Sequence, residues 1–243
     1  MTERSGEAAA RRGDGRDRTT QVPAMEPLGV ALLDHLETGE PVEIAVVRDD
    51  GVEYALDTRE LFEVPGELAG LASRARSLAR GRVLDVGAAA GRAALELQAD
   101  GLEVWALDVC PQCVEVMRRR GVERAICGDV ADLDLADFDS ILVLMDTIGL
   151  AGSRRGLVSL LSGLGERLAP GGHIVLDASA LEEGGTSSVQ LQLRYRERLG
   201  AVAPWLYLDA ASLEACAQAA GLRAEVVART RAPDHFLARL SPL

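Results

Sequence analysis

The chain has 243 residues, with 38 acids against 26 bases and a formal net charge of −12, a length suited to one sizeable α/β domain and short for two independent ones. That charge opposes the phosphate neutralisation on which nucleic-acid binding relies and attraction to an anionic membrane, so neither partner is expected. Every basic residue is arginine; without lysine there is no P-loop, no Schiff base to pyridoxal phosphate and no lysine aldolase.

Residues 1–24 carry Arg4, Arg11, Arg12, Arg16 and Arg18 among glycines and acids. They lack hydrophobic periodicity and any apolar run able to act as a signal-peptide core or membrane span. They read as a disordered tail, and the protein is expected in the cytoplasm. Apolar spacing predicts a helix over 25–36. Strands at 43–47 and 54–56 flank the Arg48–Gly51 turn as a hairpin, and a helix follows over 67–79. Residues 25–80 are thus read as an N-terminal cap.

A strand–helix rhythm then sets in, with strands at 82–86, 103–108, 123–127 and 139–145 and helices at 90–99 and 111–120. Pro111 suits a first helical turn and Gly121 a C′ position. Ser153 is placed to cap a helix whose Leu157, Leu160, Leu161, Leu164 and Leu168 share one face. After a strand at 172–178, period-two alternation over 187–196 and a return at 205–208 read as an inserted hairpin. Asp209 caps a helix that stops before Gly221, and strands at 222–229 and 235–240 finish the chain.

The chemistry gathers where the strands end. In open α/β sheets a ligand lies outside the carboxyl ends of the strands. Here three ends bring Asp85, Asp108 and Asp129 to one edge. Gly87 and Gly91 let the backbone between strand and helix approach a ligand closely. A dinucleotide fingerprint begun at Gly87 would need glycines where Ala89 and Arg92 stand, and Asp85 would repel a pyrophosphate; the nicotinamide-dehydrogenase reading fails on both counts. Asp108 suits the two hydroxyls of a ribose, Asp129 an exocyclic amine, the Val130 amide a ring nitrogen and Asp85 an ammonium. Ribose, adenine and an amino-acid tail together point to S-adenosylmethionine.

Through VLDVGAAAGR at 83–92, ALDV at 106–109 and GDV at 128–130 the chain resembles the class I S-adenosylmethionine-dependent methyltransferases. Residues 138–146 and the Leu168–Gly172 turn before 173–177 look like that family's fourth strand and the approach to its fifth. The resemblance implies an α/β fold: a seven-stranded, mostly parallel, doubly wound sheet with an antiparallel last strand. The N-terminal helix and hairpin form a cap, a hairpin is inserted after strand five, and the cofactor-binding domain spans 81–243. It implies cofactor contacts from Asp85, Gly87, Ala88, Ala89, Gly91, Asp108, Val109, Asp129, Val130 and Asp146, with methyl transfer to O or N of a small molecule. The alternative is a non-catalytic partner protein of the same fold. Ala89 replaces the family's usual glycine, a change that costs about 1 kcal/mol if that position has positive φ.

Asp146, at the end of the fourth strand, is the candidate catalytic residue, as a substrate-orienting group or proton acceptor; the other reading has it capping a turn or holding the methionine end of the cofactor. Asp177 pairs with it, but only Ala178 and Ser179 follow, so the third ligand of a metal site is missing and no metal is expected. Cys110-Pro-Gln-Cys113 lies at a helix start without a second cysteine pair and reads as packing or as a redox motif. Cys127 and Cys216 read as buried. His35, His173 and His235 have no partner by spacing. Arg194, Tyr195, Trp205 and Tyr207 concentrate scarce aromatic and cationic groups in the inserted hairpin and are the substrate-facing candidates.

Overall fold

A computed structural model describes residues 18–64, 66, 68–181, 184–230 and 235–243. It opens with α1 (Arg18–Thr38), the hairpin β1 (Glu43–Arg48) and β2 (Glu53–Asp57), the single turn α2 (Arg59–Phe62) and α3 (Leu68–Leu78). Next come β3 (Arg82–Val86), α4 (Arg92–Ala99), β4 (Glu103–Asp108), α5 (Pro111–Arg120), β5 (Ala125–Cys127) and β6 (Phe138–Val143). The remainder is α6 (Arg154–Gly165), β7 (Leu168–Ser179), β8 (Thr186–Tyr195), β9 (Arg198–Leu199), β10 (Ala203–Leu208), α7 (Ala210–Ala219), β11 (Leu222–Arg229) and β12 (His235–Pro242).

Seven strands form one sheet in the order β11-β12-β7-β6-β3-β4-β5, in which β12 runs antiparallel to both neighbours and the β7-to-β5 run is parallel. The α/β fold and the antiparallel last strand are as the sequence reading expects. A parallel sheet is covered on both faces, so its strands are apolar throughout rather than alternating. Accordingly Leu84, Ile141, Val143, Ile174 and Leu176 meet the leucine face of α6 and the Leu213–Cys216 side of α7. Val83, Leu142 and Val175 meet α3, α4 and α5 on the other face.

The cap is one sheet rather than two separate pieces. β1 pairs with β8 as well as β2, in the order β10-β8-β1-β2, with β9 on the side of β8. The strands expected as an insertion thus complete the N-terminal hairpin, a long-range pairing that local periodicity does not carry. α1 lies against this sheet through Ala24, Met25, Ala31 and Leu32. Its Pro27 cannot donate to the Pro23 carbonyl, which instead accepts from the Ala201 amide at 3.2 Å, tying the helix to the loop before β10.

Four expectations change. Residues 18–24, read as tail, are the first turns of α1, while residues 1–17 lie outside the described residues. α3, read as part of the cap, packs Leu71 and Ala75 onto the core sheet, where His173 Nε2 meets the Leu78 carbonyl at 3.0 Å. Leu168 begins β7 instead of extending the helical stripe. Cys127 is exposed; Cys216 is buried. Among the described residues no helix is long and apolar enough to cross a membrane.

Thr58 joins the pieces of the cap. Fully buried, its hydroxyl oxygen accepts from the Val42 amide and bonds His35 Nδ1, both at 2.9 Å, while the Phe62 ring packs on the imidazole. Thr58→Val leaves a half-buried amide and a ring nitrogen without this partner. It is expected to lower stability by about 1–3 kcal/mol in urea unfolding; an unchanged midpoint would contradict this role.

Candidate functional site

A cavity of about 350 Å³ lies between the carboxyl edge of the large sheet and the cap. Of the ten cofactor candidates, all but Gly91 line it. Gly91 instead packs against α5 and the turn after it, where a Cβ would lie 2.9 Å from Met117 Cγ and 2.7 Å from Val122 Cγ2. Gly87 has φ +70°, and a Cβ there would lie 2.4 Å from Thr147 Cγ2, so conformation and space both demand glycine. The loop amides are already engaged: Gly87 and Ala88 donate to the Leu107 carbonyl at 2.8 and 3.1 Å, Gly91 to Ala88 at 2.7 Å. What the turn offers a ligand is close backbone approach.

Ala89 donates to Asp108 Oδ2 and Cys110 to Asp108 Oδ1, both at 2.9 Å. Two amides therefore orient this carboxylate and leave about two of its four lone-pair directions for the cavity. Burial raises its pKa against those bonds. Asp85 is buried with Oδ2 unpartnered among the described residues. Burial pushes its pKa up to about 7, with nearby Arg92 pulling down and Asp108 pushing up. Asp129 Oδ1 accepts from the Ala131 amide at 2.7 Å and caps a short 3₁₀ turn.

β6 ends in two successive left-handed residues, Met145 (φ 61°) and Asp146 (φ 55°), a turn that costs on the order of 1–2 kcal/mol per residue. Asp177, on β7, offsets that strain by accepting the Met145 amide at 3.0 Å and the Asp146 amide at 2.7 Å. Asp146 Oδ2 accepts from the Ser179 hydroxyl at 2.8 Å. The group that spacing did not disclose is His235, whose Nε2 lies 3.6 Å from Asp177 Oδ2 and 4.0 Å from Asp146 Oδ1. The three side chains gather their ligand atoms within 4.8 Å. The lack of a third group, inferred from the residues after Asp177, is thereby corrected, because antiparallel pairing of β12 on β7 brings the imidazole from the far end of the chain. Burial and Asp177 raise the Asp146 pKa to about 6, against His235 and Ser179. Burial alone would depress His235, but the facing carboxylates raise it overall.

The cap contributes Met25, Leu28, Val46, Tyr54, Leu56, Leu61, Leu191, Leu193, Trp205 and Tyr207 to the cavity. The Trp205 indole lies on Gly149, where a Cβ would sit 2.3 Å from its ring. Arg194 and Tyr195 do not line the cavity. Alternation along β8 turns Arg194 to solvent, and the Tyr195 hydroxyl donates to Asp34 Oδ2 at 2.8 Å, joining β8 to α1. Tyr54 borders the cavity while 43% exposed, and was missed because β2 alone gives no reason to turn it toward a site. Cys110 and Cys113 are fully buried free thiols of the cluster against α1.

The orphaned Asp85 oxygen and the glycine cradle fit the ammonium and backbone-hugging body of S-adenosylmethionine. A family model described as a methyltransferase domain matches residues 83–172. A solved S-adenosylmethionine-dependent methyltransferase from Bacteroides fragilis, in complex with S-adenosylhomocysteine, is 30% identical and superposes with a TM-score of 0.80 over 91% of this chain and 96% of that one. The chain belongs to the S-adenosylmethionine-dependent methyltransferases. The cofactor of this methyltransferase is S-adenosylmethionine. Cypemycin N-terminal methyltransferase from a Streptomyces species is 29% identical over 138 residues, 55% of this chain. The chain thus spans about half of that relative, 56% of its length. Streptomyces venezuelae DesVI, 19% identical with a TM-score of 0.59 over 78% of this chain and 100% of that one, shares the fold.

Ala89 has φ +47°, the left-handed case in which a methyl group is unfavourable. Ala89→Gly is expected to stabilise the methyltransferase by about 1 kcal/mol, a rise of about 2–4 °C in Tm by differential scanning calorimetry. An unchanged or lower Tm would show that the loop does not hold this conformation.

Proposed function

We propose that the methyltransferase transfers its methyl group to an oxygen or nitrogen of a small molecule held between the strand tips and the cap. The observation that carries this reading is one cavity with Asp85, Asp108, Asp129 and Asp146 at the strand tips and a cap side that is mostly aromatic and aliphatic, Glu60 being the one cap carboxylate among the described residues. Such a division suits a charged nucleoside on one side and an apolar acceptor on the other. In this reading Asp108 receives both ribose hydroxyls, Asp85 the ammonium of the amino-acid tail, and Asp129 and Val130 the adenine edge, with Val109 and residues 87–89 along the nucleoside. Asp146 faces the acceptor, and Trp205, with Tyr54 and Tyr207, bounds it.

S-adenosylmethionine supplies an activated methyl group that leaves a neutral thioether. The protein therefore has to align the acceptor, exclude water and take up any proton the acceptor releases. Alignment and desolvation are worth roughly 7–11 kcal/mol in favourable cases, with a base adding about 10²–10⁴ in rate. Leu28, Leu56, Leu61 and Leu193 line the cap side and disfavour water there. The name of the Streptomyces relative, an N-terminal methyltransferase, supports nitrogen as one acceptor atom. The non-catalytic alternative draws on Ala89, yet the Ala89 amide still orients Asp108, which favours a working site.

Incubating the protein with methyl-labelled cofactor and a small-molecule extract is expected to produce labelled compounds heavier by one methylene, detected by mass spectrometry. Label confined to protein or nucleic acid, or no product despite bound cofactor, would refute the reading.

A further inference from the structure

We propose that the acceptor is an amine, which enters as an ammonium ion and is received by Asp146 beneath the Tyr54 and Tyr207 rings. This deepens the reading above and rests on it. Asp146 and Asp177 face one imidazole, so even with His235 protonated the cluster keeps one net negative charge. Asp177 uses both oxygens on the Met145 and Asp146 amides. Asp146 is the member that opens to the cavity, its side chain 26% exposed against 7% for Asp177. His235, nine-tenths buried, lines the same cavity, and its Nε2 faces the Asp177 and Asp146 carboxylates at 3.6 and 4.0 Å. An ammonium group has donors to offer the Asp146 carboxylate, while His235 Nε2 accepts one only when the imidazole is neutral.

The surroundings select against other acceptors. Arg92 is the single guanidinium lining the cavity among the described residues, and it pairs with Glu96 at 3.0 Å beside Asp85. Arg48, 5.2 Å from the Tyr207 ring centroid, is paired with Asp50 and does not line the cavity. A carboxylate or phosphate acceptor would meet the net negative charge of the cluster with no guanidinium beside it, and an alcohol would leave that charge unbalanced. A cation also gains from the faces of tyrosine rings. Tyr54 lies close enough to Asp146 for the carboxylate to raise its pKa, behind the larger effects of burial and the neighbouring Tyr207 hydroxyl.

The ammonium must lose a proton before it can be methylated. One N–H bond breaks, the proton goes to Asp146 Oδ1, and the nitrogen keeps the bonding pair as the lone pair that is methylated.

The test uses the full-length protein, methyl-labelled cofactor and a matched set of 2-phenylethylamine, 2-phenylethanol, a phenol and 3-phenylpropionate, chosen for the apolar walls. S-adenosylhomocysteine binding is followed separately by calorimetry. Label is expected on the amine alone, and Asp146→Asn is expected to lower kcat/KM for it by about 100-fold while S-adenosylhomocysteine still binds. Label on the alcohol, phenol or acid, no label on the amine, or a chelator-sensitive requirement for a divalent cation at the three-residue cluster would overturn the proposal. Absence of S-adenosylhomocysteine binding would remove the reading beneath it as well; binding without amine methylation overturns this inference alone.

Discussion

Burying a carboxylate is costly, and this fold does so at the ends of two adjacent strands. Asp85 has one oxygen without a partner, and Asp108 is held by two backbone amides rather than by a cation. Such groups persist where a ligand completes them. Their position goes with the glycine turn at Gly87 that brings the backbone close and, in the proposed reading, with a cofactor that carries an ammonium group.

A second carboxylate pair sits one strand further along and works differently. Asp177 is structural in its bonds, because it offsets the strain of two consecutive left-handed residues, Met145 and Asp146. That strain aims Asp146 out of the strand and into the cavity. The fold thus separates a carboxylate that holds the turn from one that is presented, and His235 moderates the charge of both.

The core was legible because its signals are local. A run such as Val83-Leu-Asp-Val ends at a glycine turn, and the spacing to Asp108 and Asp129 follows from the length of one helix and one strand. The cap was legible only in pieces. That β1 pairs with β8 depends on contacts separated by about 150 residues, as in Ala45 opposite Arg194, and no period-two pattern names its partner. The orientation of β8 follows from that pairing, which is why Arg194 reads as a site residue in the sequence and faces solvent in the fold, while Tyr54 on β2, partly exposed, borders the cavity. His235 escaped for the same reason, since its neighbours Asp146 and Asp177 belong to strands that meet it only through sheet order.

The central claim is that the carboxylates beside Gly87 await the cation of an adenosyl amino acid, and Asp85 gives it a signature in pH. Its pKa near 7 in the free protein reflects burial. A bound ammonium favours the ionised form, so binding is opposed by protons and must strengthen as pH rises through that value. Calorimetric titration with S-adenosylhomocysteine between pH 6 and 8 is expected to show affinity rising by about tenfold, with the rise largely lost in Asp85→Asn. Affinity that is flat across this range in the unsubstituted protein, or no binding at all, would contradict the account.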